Sequence, residues 1–195
     1  LVINGKKLAL NTDFQAMTSN YAAGLRFSEV VFAGYGISDG DKRNDYKDLN
    51  VTGKLVLIAD GIPADYKPSQ QGFSSPSGVT GKMNAALSRG ASAIMIIYNN
   101  FPRRAGAVRS NWSMNGFKAT QSLFGFTISA DAAAKILGED GKTLLEKIKA
   151  NAVAAKTYKA EVELNYSKTT KTTQVSNVLA LLEGTDKKEE YVVIT

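Results

Sequence analysis

The stretch "VVFAGYGISDGDKRNDYKDLNVTGKLVLIADG", Val30–Gly61, decides the fold because it places two apolar runs on either side of a polar, glycine-containing segment. The first run, Val30–Ala33, is rich in β-branched and aromatic residues, which predicts a strand over residues 29–33. The second run, Leu55–Ala59, is apolar without interruption, as is typical of a strand buried on both faces. The segment between them is compatible with a phosphate loop, an acidic metal loop or a turn.

The glycines of this segment do not fit the two ligand-binding interpretations. Gly34 and Gly36 begin a dinucleotide-type pattern, but its third position is Asp39, and a helix does not follow. A calcium loop starting at Asp39 would place Arg43 in its third acidic slot. We therefore expect a glycine-rich turn between sheet elements, followed by a solvated acidic segment, with neither phosphate nor metal bound.

Downstream of Gly61 the pattern indicates an α/β unit. A polar, proline-containing loop, Ile62–Thr80, precedes a predicted helix, Gly81–Arg89, and a second predicted buried strand, Ala91–Asn99. This order of strand, loop, helix and strand is typical of a crossover that joins two parallel strands.

Five further elements are predicted from local signals: a tight hairpin, a strand, the capped helix that follows it, a second helix and an alternating strand. They are the Asn4-Gly5 hairpin, strand Leu123–Ser129, helix Ala130–Leu137 with Ser129 as N-cap and Gly138 as its end, helix Lys142–Asn151, and strand Tyr158–Ser167.

The composition of the 195 residues limits the chemistry that the chain can perform. It contains no cysteine and no histidine, which excludes thiol chemistry, disulfides, imidazole metal ligands and the Ser-His-Asp triad. Mechanisms that use carboxylates alone, or a Ser-Lys pair, stay open. The net charge of +6 comes from scattered lysines, so we expect no nucleic-acid partner, and the apolar runs are too short to span a membrane.

A second long loop, Asn99–Ser122, carries the candidate binding residues. Loops of this length in a compact domain are usually functional or disordered. Guanidinium groups suit carboxylates, and an indole suits apolar groups. The candidate substrate-contact residues are Arg103, Arg104, Arg109 and Trp112.

The order of these motifs resembles the protease-associated domain that occurs inside secreted zinc aminopeptidases, in the family that includes the glutamate carboxypeptidase and transferrin-receptor ectodomains. The matching residues follow the chain from the turn after the first strand to the start of the third. They are Gly34-Tyr35-Gly36, Asp45-Tyr46, Gly53-Lys54 and Gly90-Ala91. "TISADAAAKIL" resembles a later strand–helix step of the family, and "SNVLALLEGTDKKEEYVVIT", Ser176–Thr195, resembles the stretch where the catalytic domain resumes.

The resemblance implies an α/β fold, specifically a mostly β, swivelling-type β/β/α protease-associated domain with two or three flanking helices. It implies three parts: an N-terminal hairpin and lead-in segment over residues 1–28, the protease-associated domain over 29–172, and strands of a catalytic domain over 173–195. No catalytic residue or zinc ligand of the family has a counterpart in this sequence, so zinc is expected only in the catalytic domain of the parent protein.

The function that the resemblance implies is that of a non-catalytic accessory domain, which caps the active site of a zinc-dependent aminopeptidase and influences substrate access or binding. Its partners would be its own catalytic domain and the peptide substrate, at an extracytoplasmic location. The alternative is a stand-alone protein-interaction or receptor-type module without peptidase activity.

Overall fold

The computed structural model describes residues 1–17, 23–72, 75–102, 124–167 and 185–186. These residues form one eight-stranded sheet, a two-stranded hairpin and three helices. The elements in chain order are β1 Val2–Ile3, β2 Lys6–Lys7, β3 Phe14–Ala16, β4 Ala23–Phe32, β5 Ser38–Asp39, β6 Arg43–Asn44, β7 Leu55–Ala59, α1 Val79–Leu87, β8 Ala93–Ile97, β9 Phe124–Ile128, α2 Ala130–Leu137, α3 Gly141–Lys149 and β10 Lys156–Tyr166. The predicted α/β fold with two or three flanking helices is thus confirmed within the described residues.

The sheet has a parallel centre and antiparallel margins. Its strand order is β2-β1-β10-β4-β7-β8-β9-β3, and the four strands from β4 to β9 run parallel to one another. The predicted parallel crossover is therefore confirmed, since α1 connects the adjacent parallel strands β7 and β8. Outside this centre, β10, β1 and β2 continue the sheet antiparallel on one side, and β3 does so on the other.

Helices cover both faces of the parallel centre, which explains why its strands are apolar without alternation. The side chains of Leu55 and Leu57 lie in a core that includes residues of α2 and α3, whereas Val56 and Ile58 lie in a second core with residues of α1. All five residues of β7 are buried. In contrast, β10 alternates between exposed and buried positions along most of its length, as its sequence predicts for a strand with one covered face.

The predicted hairpin at Asn4-Gly5 is present, and it fixes an irregular point of the sheet. Both residues have positive φ, as the tight turn between β1 and β2 requires. Asn4 also closes a bulge in β10: its backbone amide donates to the Glu161 carbonyl at 2.8 Å, and its side-chain oxygen accepts from the Glu161 amide at 2.9 Å. Its side-chain amide donates to the carbonyl of Lys135, which ties the hairpin to α2.

Three features depart from the predictions. Strand β4 starts at Ala23, well before the apolar run, because its first half pairs with β10. The segment expected to be only a turn contains the short hairpin of β5 and β6. Strand β3 was not predicted, because three residues are too few for a periodic signal. No helix in the described part of the chain has the length and apolarity that a membrane crossing would require.

The turn after β4 yields a stability prediction. Gly36 has φ +68°, and an added Cβ would lie 2.7 Å from the Cγ2 atom of buried Ile58, whereas Gly40, with φ +53°, has open space around it. We expect Gly40→Ala to lower the free energy of unfolding by about 1 kcal/mol through backbone strain alone. Gly36→Ala should cost about 1–3 kcal/mol more, because the new methyl group overpacks the core.

Urea unfolding of the two variants and the original chain measures this difference. Equal losses for Gly36→Ala and Gly40→Ala would contradict the proposed close packing of the turn on Ile58.

Candidate functional site

The candidate site lies at the carboxyl edge of the parallel strands, which we define as the segments that follow β4, β7 and β8. In open α/β sheets ligands bind outside the carboxyl ends of the strands. Three described segments leave this edge: residues 33–45, 60–72 and 98–102. A cluster of charged and phenolic side chains joins the first two.

Asp45 organises the turn that follows β4. One oxygen of its carboxylate accepts hydrogen bonds from the backbone amides of Tyr35 at 3.1 Å and Ile37 at 3.0 Å. The other oxygen lies 2.7 Å from Nε of Arg43. Gly34 and Gly36 both have positive φ, which turns these amides towards the same acceptor. Two converging amides would suit an external anion, but here the chain fills that position with its own carboxylate.

The structure thereby confirms the interpretation of the glycines as a turn. Tyr35 is buried between Gly34 and Gly36, and its hydroxyl donates to the carbonyl of Ile148 at 3.1 Å. This bond connects the turn to the end of α3. Burial raises the pKa of Tyr35 above its usual value, so that the phenol stays a neutral donor at physiological pH.

Lys82 is the most unusual side chain of the cluster, because it is a lysine with only 1% of its surface exposed. Its ammonium group donates to the carbonyls of Ala59 at 3.0 Å and Gly61 at 2.6 Å, which lie at the end of β7. It also lies 5.7 Å from the ring centre of Tyr35, within reach of a cation–π attraction. Burial lowers the pKa of Lys82 to about 8, although the charges of Asp60 and Asp45 oppose this shift.

Asp39 joins the turn to the segment that follows β7. Its carboxylate accepts from the hydroxyl of Tyr66 at 2.6 Å, from the amide of Ser69 at 2.9 Å and from the hydroxyl of Ser69. The hydrogen bond from the Ser69 side chain, followed by that from Tyr66, lowers the pKa of Asp39. Burial, reinforced by the bond to Asp39, raises the pKa of Tyr66 to about 12.

The prediction of a solvated acidic segment is wrong for Asp39, whose relative exposure is 9%. The sequence of the turn contains no sign of this, since the donors come from residues 27 and 30 positions further along the chain. Asp41, two residues later, is exposed as expected.

Two of the remaining sequence motifs meet at the opposite, amino edge of the sheet. The amide of Gly53 donates to the carbonyl of Gly90 at 2.7 Å, and the amide of Ser92 donates to the carbonyl of Lys54 at 3.0 Å. These bonds align the starts of β7 and β8. The Gly53-Lys54 and Gly90-Ala91 pairs therefore have a structural role, distant from the carboxyl edge.

The cluster at the carboxyl edge has a common property: its ionisable groups are engaged by neighbouring parts of the chain. Asp45 and Asp39 accept from amides and side-chain donors, and Lys82 donates to two backbone carbonyls. Loops that cross the end of a sheet bury backbone groups that need partners. The arrangement supplies those partners in the folded chain.

The four predicted contact residues, Arg103, Arg104, Arg109 and Trp112, lie outside the described residues, so their contacts stay a prediction. The described chain reaches Pro102, five residues beyond the end of β8, before the gap that contains them.

Sequence reasoning missed the role of the three residues that build the cluster: Asp39, Asp45 and Lys82. One of them had a detectable signal. Lys82 precedes Ala85 and Ala86 by three and four residues, and this spacing places it on the apolar face of the predicted helix. A lysine on such a face is expected to find buried acceptors.

Comparison with known proteins identifies a partial likeness to a solved structure. No family model matches the chain, and no curated protein matches it. Among solved structures, it is similar to an aminopeptidase from Aneurinibacillus sp. strain AM-1, with 19% sequence identity and a TM-score of 0.41. The match covers 78% of this chain and 30% of that chain. A likeness of this size assigns no role to any residue described above.

The buried lysine predicts a pH dependence of stability. The folded chain holds the pKa of Lys82 near 8, whereas an unfolded lysine titrates near 10.4, a value taken from model peptides. Between these pH values the unfolded chain binds more protons, so the free energy of unfolding should rise with pH, by at most about 3 kcal/mol. Lys82→Met should lack this rise, even if it is less stable throughout because the two carbonyls lose their donor.

Chemical unfolding of both proteins from pH 7.5 to 10.5 provides the measurement, with Lys67→Met, at an exposed position, as the control. A difference between wild type and Lys82→Met that does not change with pH would contradict a shifted lysine.

Proposed function

We propose that this chain is a non-catalytic accessory module of a zinc-dependent aminopeptidase, which covers part of the active site and contacts the peptide substrate. The observation that carries the proposal is the engagement of the carboxyl-edge cluster, where Asp39, Asp45 and Lys82 hold backbone segments in place. Catalytic groups need access to a substrate and a shifted pKa suited to proton transfer. Ionisable side chains that are hydrogen-bonded to the chain's own backbone are suited to a non-catalytic module whose loops contact a substrate.

The topology supports the carboxyl edge as the contact surface. The two long loops that we predicted both leave from it, one after β7 and the other after β8. Adjacent parallel strands end at the same edge, so the second loop departs next to the first. Its three arginines suit the carboxylates of peptides, which they bind through paired N–H groups.

The order of the sequence motifs supports the link to aminopeptidases. The turn Gly34-Tyr35-Gly36 and the pair Asp45-Tyr46, which we matched to the protease-associated domain, interact directly through the hydrogen bond from Tyr35 to Asp45. In the proposal, the zinc ion belongs to the catalytic domain of the parent protein, because this sequence contains neither histidine nor cysteine to ligate it. The resemblance to secreted enzymes also makes an extracytoplasmic location part of the proposal.

Two assays test the proposal. The purified 195-residue chain, with zinc added, should release no product from aminoacyl-nitroanilides, since the module supplies no catalytic group. In the natural full-length protein, replacement of Arg103, Arg104 and Arg109 by Ala should raise KM for peptides by about tenfold and leave kcat unchanged, because uniform binding is lost. Arg26→Ala, at an exposed arginine on β4, is the matched control and should change neither constant.

Three results would contradict the proposal. Hydrolysis by the isolated chain would make it an enzyme in its own right. An unchanged KM for peptides of every length would remove the arginines from substrate binding. A full-length protein that has no peptidase domain would favour the stand-alone interaction or receptor-type module.

A further inference from the structure

Residues 62–71, which we call the strap, cross the carboxyl edge between two glycines. Gly61 has φ +78° and Gly72 has φ +77°, and an added Cβ would meet nothing within 4 Å at either position. These glycines are therefore required for the backbone conformation and not for close packing. Short, uncrowded residues at both ends of a segment are suited to absorb the dihedral changes of a hinge motion.

The hydrogen bonds that attach the strap to the rest of the described chain meet at one residue. Within the described part of the chain, every hydrogen bond from the strap to a residue outside it ends on the carboxylate of Asp39. Apart from this anchor, the ring of Tyr66 and the ring of Pro63 are its buried side chains, and most of its other residues are exposed. A segment with few buried contacts and a single point of attachment has a low free energy of local opening.

The strap begins directly after a backbone acceptor of the buried lysine. Gly61, the residue before the strap, accepts a hydrogen bond from Lys82. Asp65, within the strap, is close enough to Tyr35 to influence the pKa of that phenol. Lys82 itself lies over the Tyr35 ring. The other charged groups that influence Lys82 are Asp60, Asp45 and Arg43. Movement about Gly61 would therefore displace one of the two carbonyls that accept hydrogen bonds from the ammonium group of Lys82.

We infer that residues 62–71 open and close as one unit about Gly61 and Gly72, that Asp39 is the latch, and that opening exposes Lys82 to solutes. The device is a property of the chain itself and does not depend on the proposed accessory function. It gives the carboxyl edge two states, one with the lysine buried and one with a cation presented at the surface.

The latch is tested by Asp39→Asn, with Asp41→Asn as the matched control in the same turn. Asp39→Asn removes the charge and replaces one of the two acceptor oxygens with a donor, so amide hydrogen exchange in residues 62–71 should accelerate by about tenfold or more. Exchange in β7 and β8 should stay as it is. Tyr66→Phe removes one of the hydrogen bonds and keeps the ring, so it should produce a smaller acceleration even if Asp39→Asn folds poorly.

The exposure of Lys82 is measured in the same proteins by acetylation with acetic anhydride and mass spectrometry. In the Asp39→Asn variant Lys82 should be acetylated faster by a similar factor, while exposed Lys142, outside the strap, reacts at the same rate in all variants. The inference is overturned if strap exchange does not change, if exchange accelerates equally across the sheet, or if the strap exchanges faster without any gain in Lys82 labelling.

Discussion

The carboxylate of Asp45 is the constraint on which the carboxyl edge depends. It accepts from the amides of Tyr35 and Ile37 and lies against the guanidinium of Arg43, and without it two amides of a buried turn would have no acceptor. Hydrogen bonds to a charged acceptor each contribute about 1.5–3 kcal/mol, and an unsatisfied buried amide costs a similar amount. This turn positions Tyr35, whose hydroxyl donates a hydrogen bond to the carbonyl of Ile148 and so connects α3 to the sheet.

The remaining polar contacts at the edge extend the same principle. Apolar strands such as β7 and β8 satisfy their backbone groups within the sheet, but the segments that follow them leave that ladder. Lys82 donates to the carbonyl of Ala59, the last residue of β7, and to that of Gly61 just beyond it, and Asp39 supplies acceptors to the strap. Polar side chains thus replace sheet hydrogen bonds at the point where the sheet ends, and this role explains their burial without catalysis.

Local sequence signals were sufficient for most of the fold. The runs at Leu55–Ala59 and Ala93–Ile97, the cap at Ser129 and the end at Gly138 depend on a few neighbouring residues, and the structure contains each of them. The first half of β4 was missed because it depends on a partner, β10, that lies more than 130 residues away. Strands of two or three residues, such as β3 and β5, carry no periodic signal.

The site was less predictable than the fold, because its contacts join residues that are far apart in the sequence. The glycine turn could be deduced from backbone requirements, but the acceptor of its amides could not, and the donors to Asp39 come from the next loop. The predicted arginines stand in the loop after β8, so their contribution depends on contacts that a single sequence does not specify.

The most direct measurement is the free energy of unfolding of Asp45→Asn, compared with Asp41→Asn. The amide keeps the shape of the carboxylate but loses its charge and turns a donor towards Arg43 or the turn. If the carboxylate organises the edge, the substitution should cost about 2–4 kcal/mol, whereas the control should change stability by less than about 0.5 kcal/mol. Equal, small effects of the two substitutions would contradict the account.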